Sequence, residues 1–99
     1  MREHHYWVYI MASGPFGTLY TGVTADLVKR VWQHQESEND GSKFCKKYGV
    51  NRLVYFEQFE VIENAIHREK RIKKWPRRWK TRLVEQANPE WRDLYETLL

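Results

Sequence analysis

Two short runs of aromatic and β-branched residues near the start of the chain constrain its fold more than any other feature. The first, Tyr6 to Met11, reads YWVYIM, and the second, Thr18 to Thr24, reads TLYTGVT. Residues of these types favour pleated, half-buried strands. The intervening segment ASGPFG is a cluster of turn formers. The pattern therefore predicts a β-hairpin.

A helix is predicted directly after the hairpin. Thr24 offers a side-chain oxygen as an N-cap, Asp26 in the first turn favours the helix dipole, and the helix extends to about Gln35. Leu27 and Val31 lie one helical turn apart, so we expect them on its buried face. The first unit of the fold is therefore β-β-α.

A third strand is predicted from Asn51 to Gln58, because its LVYF centre has the composition of a strand that is buried on both faces. We expect this strand to join the hairpin. Between the first helix and this strand, residues 37–42 (SENDGS) indicate a polar loop. Residues 43–48 (KFCKKY) indicate a turn of helix that ends at Gly49.

The last part of the chain predicts three helices. The first covers residues 61–75 and ends there because Pro76 disfavours the helical conformation of the residue before it. The second covers residues 77–86, and the third begins at Asn88-Pro89 and continues through WRDLYETLL. The residues expected on the inner faces of the first two helices are Ile62, Ala65, Ile66, Ile72, Trp79 and Leu83.

Size and composition exclude several classes of protein. A chain of 99 residues suffices for one small domain, so we expect residues 1–99 to form a single domain. The lone Cys45 supplies neither an internal disulfide nor a cysteine-rich zinc cluster. No apolar run approaches the roughly 20 residues of a membrane span, and the N-terminus does not resemble a signal peptide. We therefore expect a cytoplasmic protein without a membrane partner.

Positive charge is concentrated in residues 68–82, REKRIKKWPRRWKTR, which we call the basic segment. This segment has nine Lys and Arg and one acid, a net charge of +8, whereas the rest of the chain has eight basic and twelve acidic residues, a net charge of −4. Such density suits nucleic-acid phosphates, and a solvated helix surface is the alternative. Trp75 and Trp79 follow helical apolar spacing, so we expect them in the core or at a hinge. The candidate nucleic-acid-binding residues are Arg68, Lys70, Arg71, Lys73, Lys74, Arg77, Arg78, Lys80 and Arg82.

Glu69 lies where the helical pattern expects an apolar residue. It comes three residues after Ile66 and three before Ile72, so its carboxylate shares or borders the apolar face. A carboxylate in that position needs a metal ion, a basic group or the edge of a cleft to compensate its charge. One carboxylate with water ligands is a usual way to hold Mg²⁺ beside phosphate. The alternative is a structural ion pair with a basic neighbour.

Four further polar residues are candidates for binding phosphate or for transferring protons in a catalytic site. Arg30 and His34 are four residues apart on the first predicted helix and project from one face. Arginine offers a planar charged fork for phosphate, and histidine transfers protons near neutral pH. Tyr9 and Tyr20 lie on the hairpin strands, from which their hydroxyl groups can reach water at the sheet edge. For all four residues, ordinary surface or core packing is the simpler alternative.

These residues together resemble the signature of the GIY-YIG nuclease superfamily. VYI at Val8 to Ile10, YTG at Tyr20 to Gly22 and DLVKRVWQH at Asp26 to His34 occur in the family's order and spacing. Downstream, KFCKKYGVNRLVYFE, AIHREKRIKKW and NPEWRDL resemble segments of its small single-domain bacterial branch. This branch is related to the catalytic domain of the incision subunit of nucleotide excision repair. The resemblance covers nearly the whole chain.

The resemblance implies a fold and a catalytic site. The fold is α+β, with a small three-stranded antiparallel sheet flanked by helices in the order β-β-α-β-α-α. In the implied site, Tyr9, assisted by Tyr20 or His34, positions the attacking water and helps to deprotonate it. The arginine binds phosphate, and one Mg²⁺ or Mn²⁺ is held by the glutamate. The matching residues are Tyr9, Tyr20, Arg30, His34, Glu69 as the metal ligand, and Asn88 as a supporting asparagine.

The sequence departs from the family pattern at three positions. Trp7 replaces the first signature glycine, and Thr21 replaces the middle isoleucine or valine of the second signature. Trp7 leaves the chemistry undisturbed if it lies on the outer side of its strand. Val23 stands where the excision-repair relatives have a lysine, and the loss of that charge weakens activation of phosphate or water.

The implied function is metal-dependent endonucleolytic hydrolysis of phosphodiester bonds, with structured or single-stranded DNA favoured over RNA. The alternative is a non-catalytic nucleic-acid-binding module, or a nuclease subunit that depends on a protein partner for substrate specificity. The endonuclease is favoured over the binding module, because a protein that only binds nucleic acid has no need of the Glu69 carboxylate on the apolar face of a helix.

Overall fold

The computed structural model describes residues 5–36 and 47–99. Their order of elements confirms the predicted α+β fold. The predicted loop at 37–42 and positions 43–46 of the predicted helical turn, with Cys45, lie outside the described residues. The elements are β1 (Tyr6–Ala12), β2 (Leu19–Thr24), α1 (Leu27–Glu36), β3 (Arg52–Phe59), α2 (Ile62–Lys74), α3 (Arg77–Ala87) and a final 3₁₀ turn (Tyr95–Leu98).

The three strands form one antiparallel sheet in the order β2-β1-β3, so the predicted third strand does join the hairpin. On one side, β1 pairs with β2 in a regular register that places Tyr9 opposite Gly22. On its other side, β1 pairs with β3, and the register shifts between Ile10 and Met11. The central position of β1 gives it two strand partners, and therefore little freedom to move.

Helices or the C-terminal segment cover both faces of the sheet. Because side chains alternate along a strand, Val8 and Ile10 face one way and Tyr9 and Met11 face the other. The first face packs against residues of α2 and α3, namely Ala65, Ile72 and Val84. The second face packs against residues of α1 and the C-terminal segment, namely Leu27, Val31, Leu94, Tyr95 and Leu98. Tyr9 therefore belongs to the α1 face of the sheet.

Two predicted buried positions are wrong. Ile62 and Trp79 are 42% and 45% exposed, although helical spacing placed both on inner faces. Ile62 is the first residue of α2, ahead of the turns that meet the sheet. On α3, Leu83 and Val84 make the contacts with the core, so Trp79 in the first turn remains at the surface. Trp75, in contrast, packs against the core as predicted.

The N-cap of α1 is Asp26 and not Thr24. The Asp26 carboxylate accepts a hydrogen bond from the backbone N–H of Lys29 at 3.1 Å. The hydroxyl oxygen of Thr24 accepts one from the backbone N–H of Asp26, also at 3.1 Å. Thr24 thus shapes the turn that leads into the helix, and Asp26 satisfies a free N–H group of its first turn.

The predicted C-terminal helix is also wrong, because the chain there pairs with the edge of the sheet. The backbone N–H of Leu94 donates to the carbonyl of Leu53 at 2.7 Å, and the Asp93 carboxylate accepts from the N–H of Leu53 at 3.2 Å. Trp91 lies in the left-handed region with φ of 55°. The segment thereby covers the outer edge of β3, which is otherwise open to pairing with another chain.

No helix among the residues that the structure describes has the length and apolar character of a membrane span.

Candidate active site

Four of the six predicted catalytic residues meet where β1, β2 and α1 come together. The Tyr9 hydroxyl lies 3.0 Å from Nε2 of His34. The Tyr20 ring lies 6.3 Å from the Tyr9 ring and 5.3 Å from the His34 ring, measured between centroids. Arg30 lies beside both tyrosines, and their interactions with its guanidinium raise its pKa. Residues from three elements thus form one aromatic and basic cluster, which we call the tyrosine cluster.

Gly22 makes room for the tyrosine cluster. Its cross-strand partner Tyr9 lies over it, and a Cβ atom on Gly22 would be 2.5 Å from the Tyr9 hydroxyl oxygen and 2.6 Å from Cζ. No side chain larger than hydrogen fits that space without moving the tyrosine. In the sequence, Gly22 stood out only as part of a motif, although a glycine inside a strand is itself a sign of close approach.

Arg30 remains cationic within the cluster. Partial burial disfavours its charge, but hydrogen bonding and charge interaction with Tyr9 and Tyr20 outweigh that effect and raise the pKa of the guanidinium. One further nitrogen, Nη1, donates to the side-chain oxygen of Gln33 at 3.2 Å. Gln33 thus helps to orient the guanidinium beside the two phenol groups.

His34 is neutral at neutral pH. Burial, together with the nearby positive charge of Arg30, lowers its pKa to about 4. Nδ1 is buried and has no hydrogen-bond partner within the described parts of the chain. A buried N–H without an acceptor is rare in proteins, so we assign the proton to Nε2, from which it is donated to the Tyr9 oxygen.

The cluster has an inner and an outer layer. Tyr9 is 1% exposed and His34 is 6% exposed. Tyr20 and Arg30 are only half-buried. A phosphate or a water molecule arriving from solvent therefore meets Tyr20 and Arg30 first, with Tyr9 and His34 packed behind them.

Glu69 lies on α2, the helix that packs on the other face of the sheet. It is one of the three buried residues of that helix, as its place in the apolar pattern predicted. Its Oε1 forms an ion pair with Nζ of Lys73, one helical turn further on, at 3.0 Å. No three His, Cys, Asp or Glu side chains of residues 5–36 and 47–99 gather into a possible metal site. A single carboxylate completed by water is a donor set that suits Mg²⁺ or Mn²⁺.

Asn88 holds the C-terminal segment in place. Its side-chain nitrogen donates to the carbonyls of Val54 and Arg92 at 3.1 and 2.9 Å. Its side-chain oxygen accepts from the backbone N–H of Arg92 at 3.1 Å. These contacts give Asn88 a supporting place in the fold beside β3.

Two of the departures from the family pattern lie on opposite faces of the sheet. Trp7 packs edge-to-face on Phe56, with ring centroids 5.8 Å apart, on the same face as Tyr9. It is therefore not on an outer side of the strand. Val23 packs against the core on the α2 face.

Part of the basic segment is used within the fold. Arg68 forms a two-pronged ion pair with Glu57, at 2.9 Å for the shorter contact, and lies over the Trp75 ring. Arg77 donates to the carbonyls of Phe16 and Gly17 in the hairpin turn. Lys80 donates to the carbonyl of Lys73 at 3.3 Å, and partial burial lowers its pKa. The members on the exposed surface are Lys70, Arg71, Lys73, Lys74, Arg77, Arg78 and Arg82.

Comparison with known proteins agrees with this architecture. The chain is 37% identical to a UPF0213 protein of Haloquadratum walsbyi, and the match covers 88% of this chain and 93% of that protein. It is 31% identical to a UPF0213 protein of Bacillus pumilus, over 91% and 89% of the two chains. The solution NMR structure of a UPF0213 protein from Bacillus halodurans is similar, with a TM-score of 0.55 and 30% identity over 90% of this chain and 92% of that one.

The fold and these relatives define a class of small α+β proteins built around a three-stranded antiparallel sheet. Within that class, the family model of the GIY-YIG catalytic domain matches residues 5–82. The chain belongs to the GIY-YIG family, a family of nucleases that act on nucleic acids.

Replacement of Gly22 by alanine is predicted to disrupt the tyrosine cluster. The added methyl group overlaps the Tyr9 ring, so the tyrosine must move and its contact with His34 is disturbed. We expect the free energy of unfolding, measured in urea, to fall by about 1–3 kcal/mol, as for other overpacked sites. Gly14→Ala is the control, because a Cβ there meets no atom within 4 Å. Equal stability of the two variants would contradict the predicted overlap.

The low pKa of His34 predicts a specific pH dependence of stability. Its pKa is about 4 in the folded protein and 6.5 when the side chain is fully solvated, so the unfolded chain binds the proton more readily between these values. The free energy of unfolding should therefore fall by up to about 3 kcal/mol as pH is lowered through this window. His34→Gln removes the titration and should show a flatter profile in urea unfolding from pH 7 to pH 4. Parallel profiles for the two proteins would rule out a depressed histidine pKa.

Proposed function

We propose that this protein is a metal-dependent endonuclease that hydrolyses phosphodiester bonds in DNA. The observation that carries the proposal is the tyrosine cluster, in which a charged guanidinium is fixed beside two phenol groups. Membership of a nuclease family supports the same conclusion. We assign each side chain a role in the reaction from its burial and its contacts.

Arg30 is assigned to the scissile phosphate. Its raised pKa keeps the group charged, and its half-exposed position allows contact with a ligand. A guanidinium binds two non-bridging oxygens at once, and it stabilises the negative charge that accumulates on them in the transition state. Its hydrogen bond to Gln33 helps to orient the guanidinium before the substrate arrives.

Tyr20 is assigned to the attacking water, and the Tyr9–His34 pair to its support. Tyr20 is the more exposed of the two phenols. A water held by the Tyr20 hydroxyl also meets the positive charge of the neighbouring Arg30 guanidinium. The Tyr9 oxygen accepts from Nε2 of His34, which keeps the buried ring in place behind Tyr20.

Glu69 is assigned as the protein ligand of one Mg²⁺ or Mn²⁺. When bound, such an ion acts as a Lewis acid that stabilises charge on the leaving oxygen. The Lys73 ammonium shares the Glu69 carboxylate in the structure and compensates its charge.

The exposed part of the basic segment is assigned to DNA phosphates outside the cleaved bond. Side chains such as Arg78 and Arg82 are free to neutralise phosphates, whereas Arg68 is committed to Glu57. This contribution is independent of sequence and weakens as salt concentration rises.

A second candidate is a nuclease subunit that stays inactive, and only binds nucleic acid, until a protein partner presents the substrate. Two observations favour it. Tyr9 is almost completely buried, and the Glu69 carboxylate is occupied by Lys73. This candidate predicts salt-dependent binding without cleavage by the protein alone.

A cleavage assay separates the two candidates. The substrates are single-stranded, duplex, flap and branched DNA, and RNA, each with Mg²⁺ or Mn²⁺. We expect the wild type to cleave DNA, and Glu69→Gln and Arg30→Ala to reduce the rate by about 100-fold or more, because each removes charge stabilisation from the transition state. Glu63→Gln, an exposed substitution in the first turn of α2, is the matched control. Equal product from the wild type and both site variants would disprove the assigned site.

Metal binding provides a test that does not depend on cleavage. Lys73 and a divalent cation compete for the same carboxylate, so Lys73→Met should tighten Mn²⁺ binding several-fold in calorimetric titration, whereas Glu69→Gln should abolish it. Lys70→Met removes an equal charge from the exposed surface of the same helix and should have a smaller effect. Unchanged Mn²⁺ affinity in Glu69→Gln would exclude Glu69 as the ligand.

A further inference from the structure

An exposed tryptophan stands among the positive charges of α3, away from the tyrosine cluster. Trp79 is 45% exposed and packs edge-to-face on Trp75, with ring centroids 5.9 Å apart. The two rings border an open groove of about 200 Å³, whose other lining residues are Arg82, Leu83 and Gln86. Helical spacing predicts Trp79 in the core or at a hinge, whereas in the structure its ring is exposed.

The partner ring is held in place by a chain of contacts. The Arg68 guanidinium carbon lies 5.1 Å from the centroid of the Trp75 ring, and Arg68 is itself fixed by its two-pronged ion pair with Glu57. Arg68 thus covers Trp75 in a cation–π contact. Trp79 is left as the ring of the pair with a large open surface on a rigid support.

The surroundings of Trp79 are cationic. Arg78 precedes it and Arg82 follows three residues later, and both side chains are exposed. The same two arginines border a second shallow groove with Thr81, Glu85 and Gln86. An apolar ring flanked by arginines fits a polyanion with flat apolar groups more closely than it fits an apolar protein surface.

We propose that Trp79 is a stacking site for an unpaired nucleotide base, with the adjacent phosphates bound by Arg78 and Arg82. The site rests on the proposed nucleic-acid binding and deepens it, since it defines the substrate class as DNA with at least one unpaired nucleotide. In a continuous duplex, both faces of a base are covered by its neighbours, so the ring has no base face to contact. In a single strand or a flap, the base is free to stack on Trp79.

The test is a binding measurement by fluorescence anisotropy with EDTA present, so that no metal-dependent cleavage takes place. The probes are a labelled single-stranded oligonucleotide, the same strand with abasic sites, and a blunt duplex. The proteins are the wild type, Trp79→Ala, Trp79→Phe and the control Trp32→Ala. Trp32 is 48% exposed and lies on α1, outside the basic segment.

We expect Trp79→Ala to weaken binding of the intact single strand by about tenfold, a usual effect of losing one stacked base. Trp79→Phe should keep most of the affinity, and Trp32→Ala should keep all of it. Abasic sites should weaken binding by the wild type and leave Trp79→Ala unchanged. Duplex affinity should be the same for all four proteins.

Equal affinities of the wild type and Trp79→Ala for the single strand would overturn the stacking site. So would an equal loss on the single strand and the duplex, or an equal loss in Trp32→Ala. A Trp79-dependent affinity for proteins but not for oligonucleotides would assign the groove to a protein partner instead. The proposed function fails separately, if the wild type binds none of the nucleic acids and cleaves none of them.

Discussion

The close approach of Tyr9 to Gly22 is the contact on which the rest of the site depends. It requires β1 to be the central strand, because only there is the tyrosine held by strands on both sides and covered by α1. It also requires a residue without a side chain on β2, since a Cβ would overlap the phenol ring. Once Tyr9 is fixed, its hydroxyl fixes the His34 ring. The outer pair, Tyr20 and Arg30, then rests on a rigid layer.

The residues to which we assign catalytic roles lie on both faces of the sheet. The α1 face has the tyrosine cluster, and α2, with Glu69, packs on the opposite face. The charge of the basic segment is divided as well. Arg68 and Arg77 connect α2 and α3 to β3 and to the hairpin turn, whereas Arg78 and Arg82 remain available to a ligand. The sum of charges in a sequence therefore overstates the charge that is free to bind phosphate.

Strands β1 to β3 and helices α1 to α3 lie within one or two residues of their predicted bounds, because each depends on local periodicity, on turn formers or on Pro76. The buried position of Glu69 was also predictable from helical spacing. Helical spacing predicted Trp79 to be buried, which is wrong, because spacing does not show which turns of α3 contact the core. The prediction of a C-terminal helix was wrong because the segment bonds to the distant edge of β3. The backbone N–H of Leu94, for example, donates to the carbonyl of Leu53. A glycine inside a strand indicates a close approach, but the neighbour that approaches Gly22 is the cross-strand Tyr9, which local patterns do not identify.

We propose that the tyrosine cluster, on the α1 face of the sheet, and Glu69, on the helix that packs on the opposite face, act together on one phosphodiester bond. The most direct test measures single-turnover DNA cleavage by Arg30→Ala, Glu69→Gln and the double variant. Residues that stabilise the same transition state act as a unit, so the double variant should be about as slow as the slower single variant. Losses that multiply in the double variant would show two independent contributions and would contradict a shared site.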